Sequence, residues 1–203
     1  AGMVDASVGG KTGINSPYGK NLIGAFHSPV SVIIDPSWLK SLSDRDFAAG
    51  LAEVIKCGFI DDPEILKSIE GKSLSQIRDN NGLVSSLIER SISTKAKVVS
   101  ADFKESELRE ILNYGHTFGH AIERVSNYAI RHGEAVAIGM VFVAELAHSA
   151  GLIDADLVAL HRKTLAAVSL PTAIGAIDGG HNWPALFAAM SLDKKARGSS
   201  IRF

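Results

Sequence analysis

The apolar positions of this chain change period near residue 43. Before it, glycine-rich turns surround one β-branched run, Val30-Ser-Val-Ile-Ile-Asp35, closed by Pro36, which reads as the last strand of an α/β unit. After it the pattern is helical throughout. Ser43 with Asp46 three residues on approximates a capping box, and Phe47, Leu51, Val54, Ile55 and Gly58 follow at helical spacing. The opposite face carries Ala49, Ala52, Glu53 and Lys56, small residues beside one acid and one base, so it is expected to be covered as well. Spacing predicts further helices over 62–70, 83–99, 114–127, 134–150, 154–168 and 182–191, with Pro171 and the stretch from Gly175 to Gly180 forming a loop before the last. The expected fold class is therefore mainly α: a helical domain over residues 43–203, preceded by the loop-and-strand tail of an α/β domain over residues 1–42.

Composition narrows this picture by exclusion. The chain has 203 residues, 46% of them hydrophobic, and a net charge of -1, which fits a soluble globular protein and gives no electrostatic footprint for nucleic acid. The longest apolar run, Ala135 to Ala144, is bracketed by Glu134 and Glu145 and is far shorter than the roughly 20 residues of a membrane span, so it reads as a buried helix. Cys57 is alone, which rules out an intrachain disulfide and makes a cytoplasmic location the default expectation. No signal peptide is visible. The first residues, Ala1-Gly-Met-Val-Asp5, run straight into a glycine-rich loop, and Ser199-Ser-Ile-Arg-Phe203 stops inside a strand-like stretch, so a fragment of a longer protein is expected.

Candidate chemistry is concentrated in one place. Asn113-Tyr-Gly-His116-Thr-Phe-Gly-His120-Ala-Ile-Glu123 and Arg131-His132-Gly-Glu134 gather three histidines and two carboxylates within 22 residues. On a helix, His116, His120, Glu123 and Asn127 share one face while Phe118, Ile122 and Val125 take the other, which leaves the histidines facing a cleft. Catalytic zinc takes three protein ligands from His and Asp/Glu and keeps a fourth position open. His116 and His120, four apart, could share a metal as in zinc proteases, but those enzymes place Glu directly after the first His, where this chain has Thr117. Spacing leaves open which two histidines bind. Isolated histidines at 27, 148, 161 and 181 read as structural. Asp5-Ala-Ser-Val-Gly9-Gly10-Lys11-Thr12 imitates the end of a nucleotide-binding P-loop, yet the motif's first glycine is replaced by Asp5. What remains is a flexible loop that presents Lys11, followed by Lys20 and Asn21, to an anion.

Six blocks in order then carry a resemblance. They are Asp5 to Lys11 with Lys20-Asn21; Ala49-Gly-Leu-Ala-Glu53-Val-Ile-Lys56; Lys95 with Val98-Val-Ser-Ala-Asp102; Leu108-Arg109 through Glu123; His132-Gly-Glu134 to Met140; and Leu192-Asp193-Lys194-Lys195. Together they resemble the 3-dehydroquinate synthases. The resemblance implies zinc or cobalt held by Glu53, His116 and His132, which moves His120 to the substrate side. It implies catalytic roles for His120, Lys56, Lys95, Arg109 and Asn113, and substrate contacts from Asp5, Lys11, Lys20, Asn21 and Lys194. It also implies NAD, near Asp5, Lys11, Lys20, Asn21, Leu42 and Asp46, with residues 1–42 as the tail of the dinucleotide domain.

The implied reaction turns a sugar phosphate, 3-deoxy-D-arabino-heptulosonate 7-phosphate, into 3-dehydroquinate and phosphate, in a cytoplasmic homodimer that engages neither nucleic acid nor membrane. Other sugar phosphate cyclases and metal-dependent polyol dehydrogenases are the alternatives on related folds. The glycine-rich turn that grips the NAD pyrophosphate in that family is absent here, so the chain alone is expected not to turn over.

Overall fold

Most helices of this protein begin at an oxygen-bearing side chain that satisfies a free main-chain N–H. The computed structural model describes residues 1–16, 19–102, 108–176, 182–194, 201 and 203. Ser43 Oγ accepts from Asp46 N–H (3.1 Å) to open α1, Asp44–Ile60. Asp62 caps α2, Pro63–Ile69, with Pro63 at the first helical position. Ser73 and Gln76 form a reciprocal capping box on α3, Leu74–Arg78, and Asn80 caps α4, Asn81–Ala101. The next two helices start differently. α5, His116–Val125, follows Gly115 in the left-handed region (φ 77°), and α6, His132–Ser149, starts where Glu134 Oε2 accepts from Arg131 N–H (3.0 Å). Asp154 caps α7, Ala155–Ala167, and α8 spans Trp183–Lys194.

All of the expected helices are present, shifted by a few residues at their ends. α3 was not expected, because five residues are too few to display a period. The expected strand over 30–35 forms no ladder among the described residues, and Val30 and Ile33 are fully exposed. A β-branched run becomes a strand only when a neighbouring edge accepts its hydrogen bonds. The ladder lies earlier, where β1 (Ile14–Ser16) and β2 (Gly19–Ile23) pair antiparallel and Lys11 bridges to Phe26.

α6 is the hub. Ala135, Val136, Ala137 and Met140 are fully buried, with α1 and α7 packed on one side, α4 lying against α1, and α5 with α8 on the other. The expectation that α1 is covered on its second face holds, with Ala52, Glu53 and Lys56 each buried. Close approach to α6 depends on glycine. A Cβ on Gly133 would lie 2.5 Å from the Ala49 carbonyl carbon of α1, and one on Gly139 would lie 2.8 Å from that of Gly115. Among the described residues no helix is long and apolar enough to cross a membrane.

His161 sits in this core as a structural histidine. Its ring stacks on Phe59 at 3.6 Å, its Nδ1–H donates to Leu157 O (2.7 Å), and the Tyr114 hydroxyl donates to its Nε2 (2.8 Å). Burial pushes its pKa below the ordinary value, against the contact with the Leu157 backbone. The folded state therefore binds this proton later than the unfolded chain, and stability is lost as pH falls below about 6.5. Denaturant midpoints measured from pH 7.5 to 5 should fall with acid. A His161→Gln variant should lose part of that slope, which can reach about 1.4 kcal/mol per pH unit for one proton.

Candidate metal centre

The centre is assembled from three helices. α1 contributes Glu53 and Lys56, one turn apart on its inner face, α5 opens with His116 and carries His120 and Glu123, and α6 opens with His132. Two cross-links hold the helix starts together. Arg131 Nε donates to Asp46 Oδ1 (2.5 Å), and Arg45 pairs with Glu134, with one of its two bonds at 2.7 Å. Asp46 thus serves as a clasp between α1 and α6 in this structure. Leu42, at the end of the 3-10 turn Pro36–Ser41, offers its carbonyl to Arg78.

Glu53 is 2% exposed and its two carboxylate oxygens have different surroundings. Oε2 accepts from the Lys56 ammonium at 2.5 Å. Oε1 is buried without a hydrogen-bond partner, yet His132 Nε2 lies 3.2 Å and His116 Nε2 3.6 Å from it. The other ring nitrogens explain why both Nε2 atoms are available. His116 Nδ1–H donates to the Tyr114 carbonyl (3.1 Å) and His132 Nδ1–H donates to Glu123 Oε2 (3.1 Å), since neither acceptor can donate. In its neutral form each ring therefore carries its lone pair on Nε2. A buried carboxylate oxygen facing the Nε2 atoms of two imidazoles is an environment a divalent cation satisfies. Glu53, His116 and His132 form a group able to hold a metal ion, as do His120, Glu123 and His132.

The electrostatics agree with a cation at this point. Burial alone would raise the Glu53 pKa, but the Lys56 ammonium and the two histidines override it and hold it well below the usual carboxylate range. Burial and then the Lys56 ammonium push His116 down to about 3, so its ring is neutral. His132 moves the other way: burial opposes its charge, but Glu123 and Glu53 raise its pKa to about 9. A proton on His132 occupies the place of positive charge that a metal would take over. Lys56 stays charged despite burial because Glu53 and then Asp5 favour its ammonium.

Around this core the structure brings together a second set. Lys95 on α4 donates to the Asp5 carbonyl (2.5 Å) and to its carboxylate. Arg109, in the 3-10 turn Leu108–Asn113, donates to Gly9 O (3.1 Å), while its own N–H is held by Asp102 Oδ2 (3.0 Å). Gly9 has φ 107°, and a Cβ there would lie 3.1 Å from the Arg109 guanidinium carbon, so the loop needs glycine for both reasons. Asn113 is half-buried at the end of the 3-10 turn, and Lys11 is exposed. His120 is half-buried, its ring 5.4 Å from His116 and 5.9 Å from His132. Lys20 and Asn21 lie on β2 and Lys194 ends α8, but their side chains fall outside the described part of the structure, as do His181 and Lys195.

Comparison with known proteins places this geometry in a family. The model of the 3-dehydroquinate synthase C-terminal domain matches residues 50–196, and that of the N-terminal domain matches residues 1–49. The chain belongs to the 3-dehydroquinate synthase family. A 3-dehydroquinate synthase of Thermobifida fusca is 56% identical over 202 residues, covering 100% of this chain and 54% of its own. The chain thus spans about half the length of the curated synthases it matches.

Solved structures of sugar phosphate cyclases share the fold. A 2-epi-5-epi-valiolone synthase from Streptomyces hygroscopicus, with NAD+ and Zn2+ bound, aligns with a TM-score of 0.86 at 28% identity, covering 98% of this chain and 54% of that one. A 2-deoxy-scyllo-inosose synthase complexed with carbaglucose-6-phosphate, NAD+ and Co2+ aligns with a TM-score of 0.81 at 28% identity, covering 93% and 50%. The mainly helical fold expected from the sequence is thus the one these cyclases share over the matched half of their chains.

Sequence spacing did not reveal two features of the centre. Glu123 stood on the histidine face, but its contact to His132 crosses from α5 to α6, and no period within one helix reports such a contact. The use of the Tyr114 main-chain carbonyl by His116 has no side-chain signature at all.

Proposed function

We propose that this chain is the metal- and substrate-binding half of a 3-dehydroquinate synthase, which converts 3-deoxy-D-arabino-heptulosonate 7-phosphate to 3-dehydroquinate and phosphate. The observation that carries the metal reading is the convergence of two histidine Nε2 atoms on the buried Glu53 Oε1. Identity carries the choice of substrate: 56% to a synthase acting under that name, against 28% to cyclases of other sugar phosphates at nearly equal coverage of this chain.

On this reading Glu53, His116 and His132 hold zinc or cobalt. Zinc and NAD, when bound, supply the Lewis acid and the reversible oxidant that the conversion requires. The protein's own residues bind and orient. Lys56, kept charged beside the metal donors, and Lys95 and Arg109, at the rim formed with the Asp5–Gly9 loop, provide positive charge for a substrate bearing a carboxylate and a phosphate. Asn113 closes the turn that carries Arg109 and suits a substrate hydroxyl. His120 stands beside the two metal-binding rings, where an imidazole can take and return a proton. Lys11, Lys20, Asn21 and Lys194 complete the anion-binding set, with Asp5, Leu42 and Asp46 toward the dinucleotide. Residues 1–42 are then the tail of the NAD domain, and the full-length protein acts as a cytoplasmic homodimer.

Substrate choice is testable directly. Full-length protein carrying this chain should release phosphate from the heptulosonate phosphate at least roughly 100-fold faster, as kcat/KM, than from sedoheptulose 7-phosphate, because an unpaired buried cation costs a carboxylate-reading site several kcal/mol. Equal or reversed rates would assign it to another cyclase activity.

A further inference from the structure

We propose that Glu123 is a positioning residue of the metal centre, one that fixes both the tautomer and the ring orientation of His132. The proposal rests on the reading of Glu53, His116 and His132 as metal donors.

The two histidine donors are secured in different ways. His116 is oriented by a main-chain carbonyl, that of Tyr114, which no substitution removes. On the side away from Glu53, His132 is held by the Glu123 side chain, whose Oε2 lies 3.1 Å from Nδ1. His132 also needs the help more, with a side chain 29% exposed against 11% for His116. It occupies the first residue of α6. Glu123 itself is 4% exposed, a placement that costs a carboxylate dearly unless a cationic or N–H partner offsets it.

The same residue also organises the turn between the two helices. The Glu123 carbonyl accepts from Tyr128 N–H (2.7 Å), and Asn127 and Tyr128 both take positive φ so that the chain can reverse toward His132. Glu123 therefore sets where His132 begins, through its main chain, and how the imidazole stands, through its side chain. A carboxylate–histidine pair of this kind keeps the proton on Nδ1 and directs the Nε2 lone pair to the metal.

The test is zinc affinity of the full-length protein, measured by competition with a chromogenic chelator, alongside the visible spectrum of the Co2+ form. Glu123→Ala should weaken zinc binding on the order of 10- to 100-fold. Glu123→Gln, whose amide oxygen can still accept from Nδ1–H, should restore most of that loss, and both variants should keep the wild-type Co2+ spectrum. Unchanged zinc affinity in Glu123→Ala overturns the proposal. So does a changed Co2+ spectrum in both variants, which would make Glu123 a direct ligand together with His120 and His132.

If Glu123→Ala fails to fold, long-range proton–nitrogen NMR of the zinc-loaded wild type decides instead: the proposal requires the proton of His132 on Nδ1, and the opposite tautomer refutes it. Glu53→Gln separates the two levels. Wild-type zinc affinity in that variant would remove the underlying donor set, whereas its loss together with an unaffected Glu123→Ala would remove the positioning role alone.

Discussion

Glu53→Gln should empty the proposed metal centre and stop turnover of the full-length protein. The substitution takes one negative charge from a point where the Lys56 ammonium and the two histidine rings converge, and leaves a weakly donating amide where the metal needs an anion. Zinc affinity should fall by more than about 100-fold, beyond the usual loss from removing a residue that only orients a ligand. Gln is the informative replacement because its oxygen can still accept from Lys56. Glu53→Ala would strand that buried ammonium, at a cost of about 3–5 kcal/mol, and would confuse metal loss with unfolding. Metal analysis after dialysis and a phosphate-release assay check the prediction. Stoichiometric zinc with retained activity would defeat it.

Gly133→Ala should be the most damaging small substitution. The added carbon would meet the carbonyl carbon and Cα of Ala49 at 2.5 and 2.7 Å, and these are main-chain atoms in the middle of α1 that cannot rotate aside. α1 and α6 would have to separate, and the separation would act on His132, the neighbouring residue, and on Glu53, one turn along α1 from Ala49. The expected destabilisation is about 3 kcal/mol or more, at the upper end for overpacking, with weakened zinc binding as a second consequence. Gly82→Ala is the control. It lies in the first turn of α4 with its nearest neighbour at 3.6 Å, so it should be neutral or stabilise by up to about 1 kcal/mol. Urea denaturation of both variants distinguishes them, and equal midpoints would contradict the packing argument.

Most of the helical architecture is legible in the sequence because capping residues and helical period coincide there. Ser43 before Phe47, Leu51 and Val54 announces α1, and the glutamates at 134 and 145 bracket the apolar stretch that becomes α6. Legibility fails where structure depends on partners distant in sequence. The Val30–Asp35 run has the composition of a strand but no edge to join among the described residues, while β1 is too short to show alternation. At the centre, spacing identifies a histidine-rich face yet leaves open which rings act together. Glu53 lies more than sixty residues before His116, and only the packing of α1 and α5 on the shared helix α6 brings them together. The glycines at 133 and 139 had no visible purpose in the sequence, because each is required by a backbone from another element.

Anomalous diffraction at the zinc edge from crystals of the zinc-loaded full-length protein identifies the donor set. One ion is expected, held by a Glu53 carboxylate oxygen and by Nε2 of His116 and His132, with His120 beside it and unligated. An ion held by His116 and His120 without Glu53, or by His120, Glu123 and His132, would contradict it.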